Sequence, residues 1–179
     1  MKTSILKKEN VVFAMMKGYS FRISDIKWQL DINNCVYPYK VADKMPESMR
    51  VGYLNTLAYF SSEYSSSYIK NINHIFSQWL RLMDLEMINS TAVYKFHVSL
   101  GPEKNYKLNS IKNFLSKWKK FGYEGVDNSA LRMLEKISIK PNLTGEAVKR
   151  RDPNSGPLTE EEMKIILESI SNLLNEDKI

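Results

Sequence analysis

The chain has 179 residues, 43% of them hydrophobic, with 26 Lys plus Arg against 20 Asp plus Glu, one Cys and two His. That length suits one domain or a small pair, and that hydrophobic fraction is enough for a real core and argues against wholesale disorder. No apolar run is long enough to span a bilayer, one Cys cannot form an internal disulfide, and no Cys/His cluster offers a structural zinc site.

The net charge of +6 conceals a gradient. Residues 157–179 carry a net charge of −4, so residues 1–156 carry +10. A basic body of that kind suits a polyanionic partner. The basic N-terminus is not a secretory signal, because its apolar stretch Val11–Met16 is too short. The expectation is a soluble protein of a reducing compartment, the cytoplasm.

Residues 1–45 do not read as helix. Val11–Met16, Tyr19–Ile23 and Val36–Tyr39 are short β-like runs, separated by Gly18, Asn33-Asn34 and Pro38. They predict a small mixed α/β N-terminal arm. From Pro46 the period becomes helical, and Tyr53, Leu54, Leu57, Phe60 and Tyr64 form an apolar stripe. Ser65-Ser66-Ser67 supplies a stop and a new N-cap. Ile69, Ile72, Phe76, Trp79, Leu80 and Met83 then recur at three- and four-residue spacing, predicting a second helix.

Ser90 or Thr91 is expected to cap a third, short helix that Gly101-Pro102 closes. A fourth starts near Leu108, buries Ile111, Leu115 and Trp118, and ends at Gly122. A fifth covers Asn128–Ile139 and stops before Pro141. Residues 142–156 read as a basic linker carrying Lys149, Arg150 and Arg151. Behind it, Thr159 and Glu162 form a T-x-x-E capping box, with Leu158 and Met163 placed as a hydrophobic staple. The helix that follows shows Met163, Ile166, Leu167, Ile170 and Leu174 as its apolar face. The predicted fold is mainly α, a four- to five-helix bundle over residues 46–141, preceded by the arm.

Nothing marks a catalytic centre. His74 and His97 lie among apolar neighbours on helical segments, where core or surface histidines outnumber bases and ligands. Cys35 has no neighbouring base to activate it. No Gly-rich phosphate loop is present, and no cofactor or metal is expected.

The segment Lys104–Lys120 is the informative one: it holds six Lys and no acid. On a helix, Asn109, Lys112, Asn113, Ser116, Lys119 and Lys120 share a face opposite Ile111, Leu115 and Trp118. Ammonium groups meet phosphates, and Asn amides can pair with adenine edges in a major groove. An ordinary amphipathic helix with a Lys-rich wet face would read the same way. Trp79 and Trp118 fall on apolar stripes and are expected in the core rather than as stacking platforms.

Ser65–Leu80, with its small-residue cap and Phe76-x-x-Trp79-Leu80 ending, resembles the core-binding domain of tyrosine recombinases, the phage-integrase family. Ser110–Gly122, which reads S-I-x-x-x-L-x-x-W-x-x-x-G, is similar to a second helix of that domain. A basic linker followed by Pro157-Leu158-Thr159-Glu160-Glu161-Glu162 and Ile166-Leu167 looks like the family's passage into its catalytic domain. The resemblance spans Met49 to Leu174. Tyr68 stands where the family often has Thr.

The resemblance implies a SAM-like bundle that grips double-stranded DNA. It implies a longer parent, active in integration or recombination of a mobile element, that cuts and rejoins strands through a phosphotyrosyl intermediate and self-associates on DNA. The family's catalytic Arg, Lys, His-x-x-Arg and Tyr have no match here. The chain is therefore expected to be a non-catalytic N-terminal piece, with 157–179 the first helix of the catalytic domain. Ser66 and Lys70 of the second helix, Lys104, Lys107 and the six residues of the fourth helix, and Lys149, Arg150 and Arg151 of the linker are the residues expected at DNA. The competing readings are a helical protein-interaction module and a stand-alone DNA-binding regulator.

Overall fold

The computed structural model describes residues 11–82, 86–138 and 159–176. The protein is mainly helical, with two small antiparallel strand pairs near its start. It divides into two compact units, residues 1–140 and 141–179.

The first unit opens with two hairpins. β1 (Val11–Phe13) pairs with β2 (Ser20–Arg22) in the register Val12↔Phe21, across a turn in which Gly18 holds φ 90°. β3 (Trp28–Gln29) pairs with β4 (Cys35–Val36) in the register Trp28↔Val36. Phe21 and Trp28 stack at 4.3 Å between centroids, welding one hairpin to the other. α1 (Tyr39–Ala42) follows directly. β3 and α1 are additions to the sequence reading, each too short to show a period.

The core is built around α2 (Glu47–Glu63) and α3 (Ser66–Leu82), which abut at Tyr64-Ser65. α2 buries Met49, Gly52, Tyr53, Leu54, Thr56, Leu57, Ala58, Phe60 and Ser61, residues spread around much of its circumference. Such a helix is the bundle's central strut. The predicted stripe omitted Met49, Gly52, Thr56, Ala58 and Ser61, and it included Tyr64, which is exposed and stacks on Phe60 at 4.8 Å.

α4 (Ser90–Leu100), a 3-10 turn (Pro102–Lys104), α5 (Lys107–Lys120) and α6 (Asn128–Lys136) complete the unit. Asn89, not Ser90 or Thr91, caps α4: its backbone is extended and its Oδ1 accepts from the Ala92 N–H at 3.0 Å. Asp127 caps α6 by accepting from the Ser129 N–H at 2.7 Å. The starts of α4 and α6 are joined by Ile88 N–H to Gly125 O and Asp127 N–H to Ile88 O, at 2.8 and 2.9 Å. Gly122 ends α5 at φ 77°, as expected. α6 stops at Lys136, three residues before the predicted end.

Tyr53, Phe60, Phe76, Phe114 and Trp118 form one aromatic cluster at the centre, and Trp79 stacks on Phe96 at 4.7 Å beside it. All three Trp are fully buried. Tyr53 donates its hydroxyl to Asn73 Oδ1 at 2.8 Å, and burial pushes that phenol well above its usual pKa. Phe21, Trp28, Leu30 and Val36 of the hairpins belong to the same hydrophobic core as the helices. The Met15 N–H donates to Ser61 O at 2.9 Å, so the arm is stitched to α2 as well as packed on it.

The second unit is described through α7 (Glu160–Glu176). Its capping box is formed: Glu162 N–H donates to Thr159 Oγ1 at 3.2 Å, and Thr159 N–H donates to Glu162 Oε2 at 2.8 Å. The Thr159 N–H, and its hydroxyl at 3.0 Å, donate to the Glu162 carboxylate and hold it below its ordinary pKa. Leu158, the other half of the expected staple, lies outside the described residues. Met163, Ile166, Leu167 and Ile170 are exposed. Among the described residues, no helix is long and apolar enough to cross a membrane.

Candidate nucleic-acid interface

α5 carries no carboxylate, and its two faces are sharply different. Leu108, Ile111, Phe114, Leu115 and Trp118 are completely buried. Asn109, Asn113, Ser116 and Lys120 are exposed and recur at spacings of four, three and four, one ridge along the outside of the helix. Lys112 and Lys119 flank that ridge, half-buried. The side of α5 that faces out is fixed by Trp118, whose indole N–H donates to Glu124 O at 2.8 Å while the ring lies against Gly52 of α2.

The cations of this helix do not all do the same thing. Lys117 lies over the Tyr59 ring, 4.3 Å from its centroid, and 5.4 Å from that of Phe121, so its ammonium is turned along the α2 side. Lys119 donates to Val126 O at 3.0 Å. It also lines a cleft of about 320 Å³ with Glu86, Glu124 and Asp127. The Asp127 carboxyl is held below its usual range chiefly by the Ser129 hydroxyl and amide, with Lys119 adding a smaller pull. Lys119 is thus engaged by a backbone carbonyl, whereas among the described residues Lys112 and Lys120 have no hydrogen-bond or ion-pair partner.

Lys104 and Lys107, also expected at DNA, lie away from that ridge. Lys107 precedes Asn109 by two residues, about 200° around the helix, and therefore looks over the core side. Its ammonium donates to Gln78 Oε1 of α3 at 3.1 Å. There it lines a second cleft, of about 270 Å³, with Lys104, Gln78, Arg81 and Ser99.

Of the α3 candidates, Lys70 is exposed, whereas Ser66 has a structural partner. The Ser66 hydroxyl donates to the Asp31 carboxylate, and Asn34 Nδ2 approaches the Ser66 oxygen at 3.4 Å. Asp31 also accepts from the Asn34 side-chain Nδ2 at 2.9 Å and from the backbone N–H groups of Asn33 and Asn34 at 2.7 and 2.6 Å. These bonds, Ser66 first, lower its pKa from 3.8 to about 2. Ser66 therefore clasps the β3–β4 turn to the start of α3 rather than reaching toward solvent. Lys149, Arg150 and Arg151 lie outside the described residues.

Sequence reasoning missed Gln78 and Arg81. With Lys70 and His74 they follow at spacings of four, four and three, the same signature that exposed the α5 ridge. Among the described residues, no group of three His, Cys, Asp or Glu is arranged to hold a metal ion. The chain matches no protein-family model, no curated protein and no solved structure.

Proposed function

We propose that this chain binds double-stranded DNA through the outer ridge of α5, as the DNA-gripping part of a tyrosine recombinase. The observation that carries the reading is the ridge itself: Asn109, Asn113, Ser116 and Lys120 exposed on a carboxylate-free helix, with Lys112 at its flank. The buried Trp118 beneath gives that ridge a fixed presentation, so its amides can meet base edges without first being ordered. Binding would be non-covalent, the strand-cutting chemistry belonging to residues that this chain does not match.

The test is fluorescence anisotropy of a labelled duplex titrated with the full chain over a range of salt. Affinity is expected to fall steeply as salt rises. Lys112→Ala with Lys120→Ala should reduce the slope of log K against log salt by about 0.9 for each phosphate that is no longer neutralised. Absence of duplex binding at low salt would sink the proposal. A covalent protein–DNA adduct would refute its non-catalytic part.

A further inference from the structure

Three basic side chains meet at the end of the bundle where α3 finishes and α5 begins. Arg81 comes from α3, Lys104 from the 3-10 turn and Lys107 from α5, and all three line one cleft of about 270 Å³. Gln78 and Ser99 add polar groups to its wall, over a floor that includes Phe96 and Leu100. None of the described lining residues is a carboxylate, and among the described residues none of the three cations has an ion-pair partner. Gln78 accepts one Lys107 proton at 3.1 Å, which parks the ammonium at the wall with two donors left over. Like charges gathered around one hollow repel one another, and an anion seated among them relieves that repulsion.

We infer that this cleft seats one backbone phosphate of a bound duplex, an inference that rests on the DNA-binding reading above. A phosphodiester offers two terminal oxygens for the Arg81 fork and the Lys donors. A polymer rather than a free ion is favoured by what leads to the cleft. Lys70, His74, Gln78 and Arg81 recur along one outward ridge of α3, with Lys70, His74 and Arg81 exposed, so an extended polyanion lying on that ridge meets the Lys70 charge and polar groups before it reaches the hollow. A phosphate held there would fix where the protein sits along the duplex without reading sequence.

Three cations on one phosphate are distinguishable from three on separate phosphates. Arg81→Gln, Lys104→Gln, Lys107→Gln and the triple variant of the full chain would be titrated with duplex across salt. One shared phosphate makes the slope of the triple variant shallower by about 0.9, with Arg81→Gln alone giving most of that; three separate phosphates would take away about 2.7. Unchanged melting temperatures verify that the variants are folded. Inorganic phosphate, followed through the Arg81 side-chain and Lys107 amide NMR signals, forms the second arm. A slope reduced by about 2.7 overturns the single seat. Phosphate-dependent shifts with an unchanged duplex slope overturn the duplex as its source. A slope moved by Lys112→Ala and Lys120→Ala but not by the cleft variants overturns the cleft alone, whereas no duplex binding by the wild type overturns both readings.

Discussion

Gly52→Ala tests the packing that sets the orientation of the α5 ridge. A Cβ at this position would stand 2.5 Å from Trp118 Cε2 and 2.9 Å from Cζ2, well inside van der Waals contact. The indole has little room to retreat, since it is completely buried among Tyr53, Phe76 and Phe114 and its N–H is engaged by Glu124 O at 2.8 Å. Ala is the better helix former by about 1 kcal/mol in a helix interior. Against that stand about 1–3 kcal/mol for overpacking and a further 1–3 kcal/mol if the displaced indole N–H is parted from its acceptor. The balance is a destabilisation of about 3 kcal/mol, or on the order of 10 °C in melting temperature for a unit of this size. Urea unfolding followed by far-UV circular dichroism measures it, with the slope unchanged if only stability has moved. Trp118→Phe removes the clashing atoms, so the double variant should be less destabilised than the two single variants added together, by at least about 1 kcal/mol. Gly52→Ala as stable as the wild type, or additivity in the cycle, would show that α2 and α5 do not approach as closely as described.

The Asp31 clasp makes stability depend on acid pH. Its folded pKa of about 2 lies below the ordinary 3.8, so the ionised carboxylate is favoured by folding. Its contribution is complete above about pH 4 and is lost as pH falls toward about 2. Thermal melts over that window should show a smaller loss in Asp31→Asn, although that variant starts less stable at neutral pH; identical pH profiles would refute the clasp. Ser66→Ala should raise the Asp31 titration point, read by carboxyl NMR, and leave duplex affinity unchanged, whereas weakened binding with an unmoved titration would restore Ser66 to the DNA face. Thr56 is fully buried and its hydroxyl has no hydrogen-bond partner among the described residues, so Thr56→Val should be neutral or stabilising by up to about 1 kcal/mol in the same urea assay. A clear drop in stability would mean that the hydroxyl is bonded after all.

Whatever repeats within a few residues was readable from the order of amino acids alone. Helical period located α2 to α6 and put Trp79 and Trp118 in the core, because burial of one face recurs at the helix's own spacing. The Thr159–Glu162 box and the Gly122 terminator were equally visible, each depending on neighbours within one turn. The outward set on α5 was legible for the same reason, since opposite faces of one helix are a property of the helix alone.

What those outward groups meet is settled by tertiary packing. Ser66 is claimed by Asp31 from 35 residues away, Lys119 by the Val126 carbonyl, and Lys117 by the Tyr59 ring of another helix. Lys104 and Lys107 leave the α5 ridge for a hollow completed by Arg81, a residue of α3. Side-chain charge is carried in the sequence, but the reach of an ammonium or a hydroxyl is only a few ångströms. Which partner falls within that reach depends on how helices distant in the chain are packed, and here the close approach of Gly52 to Trp118 and the aromatic cluster around it set that packing.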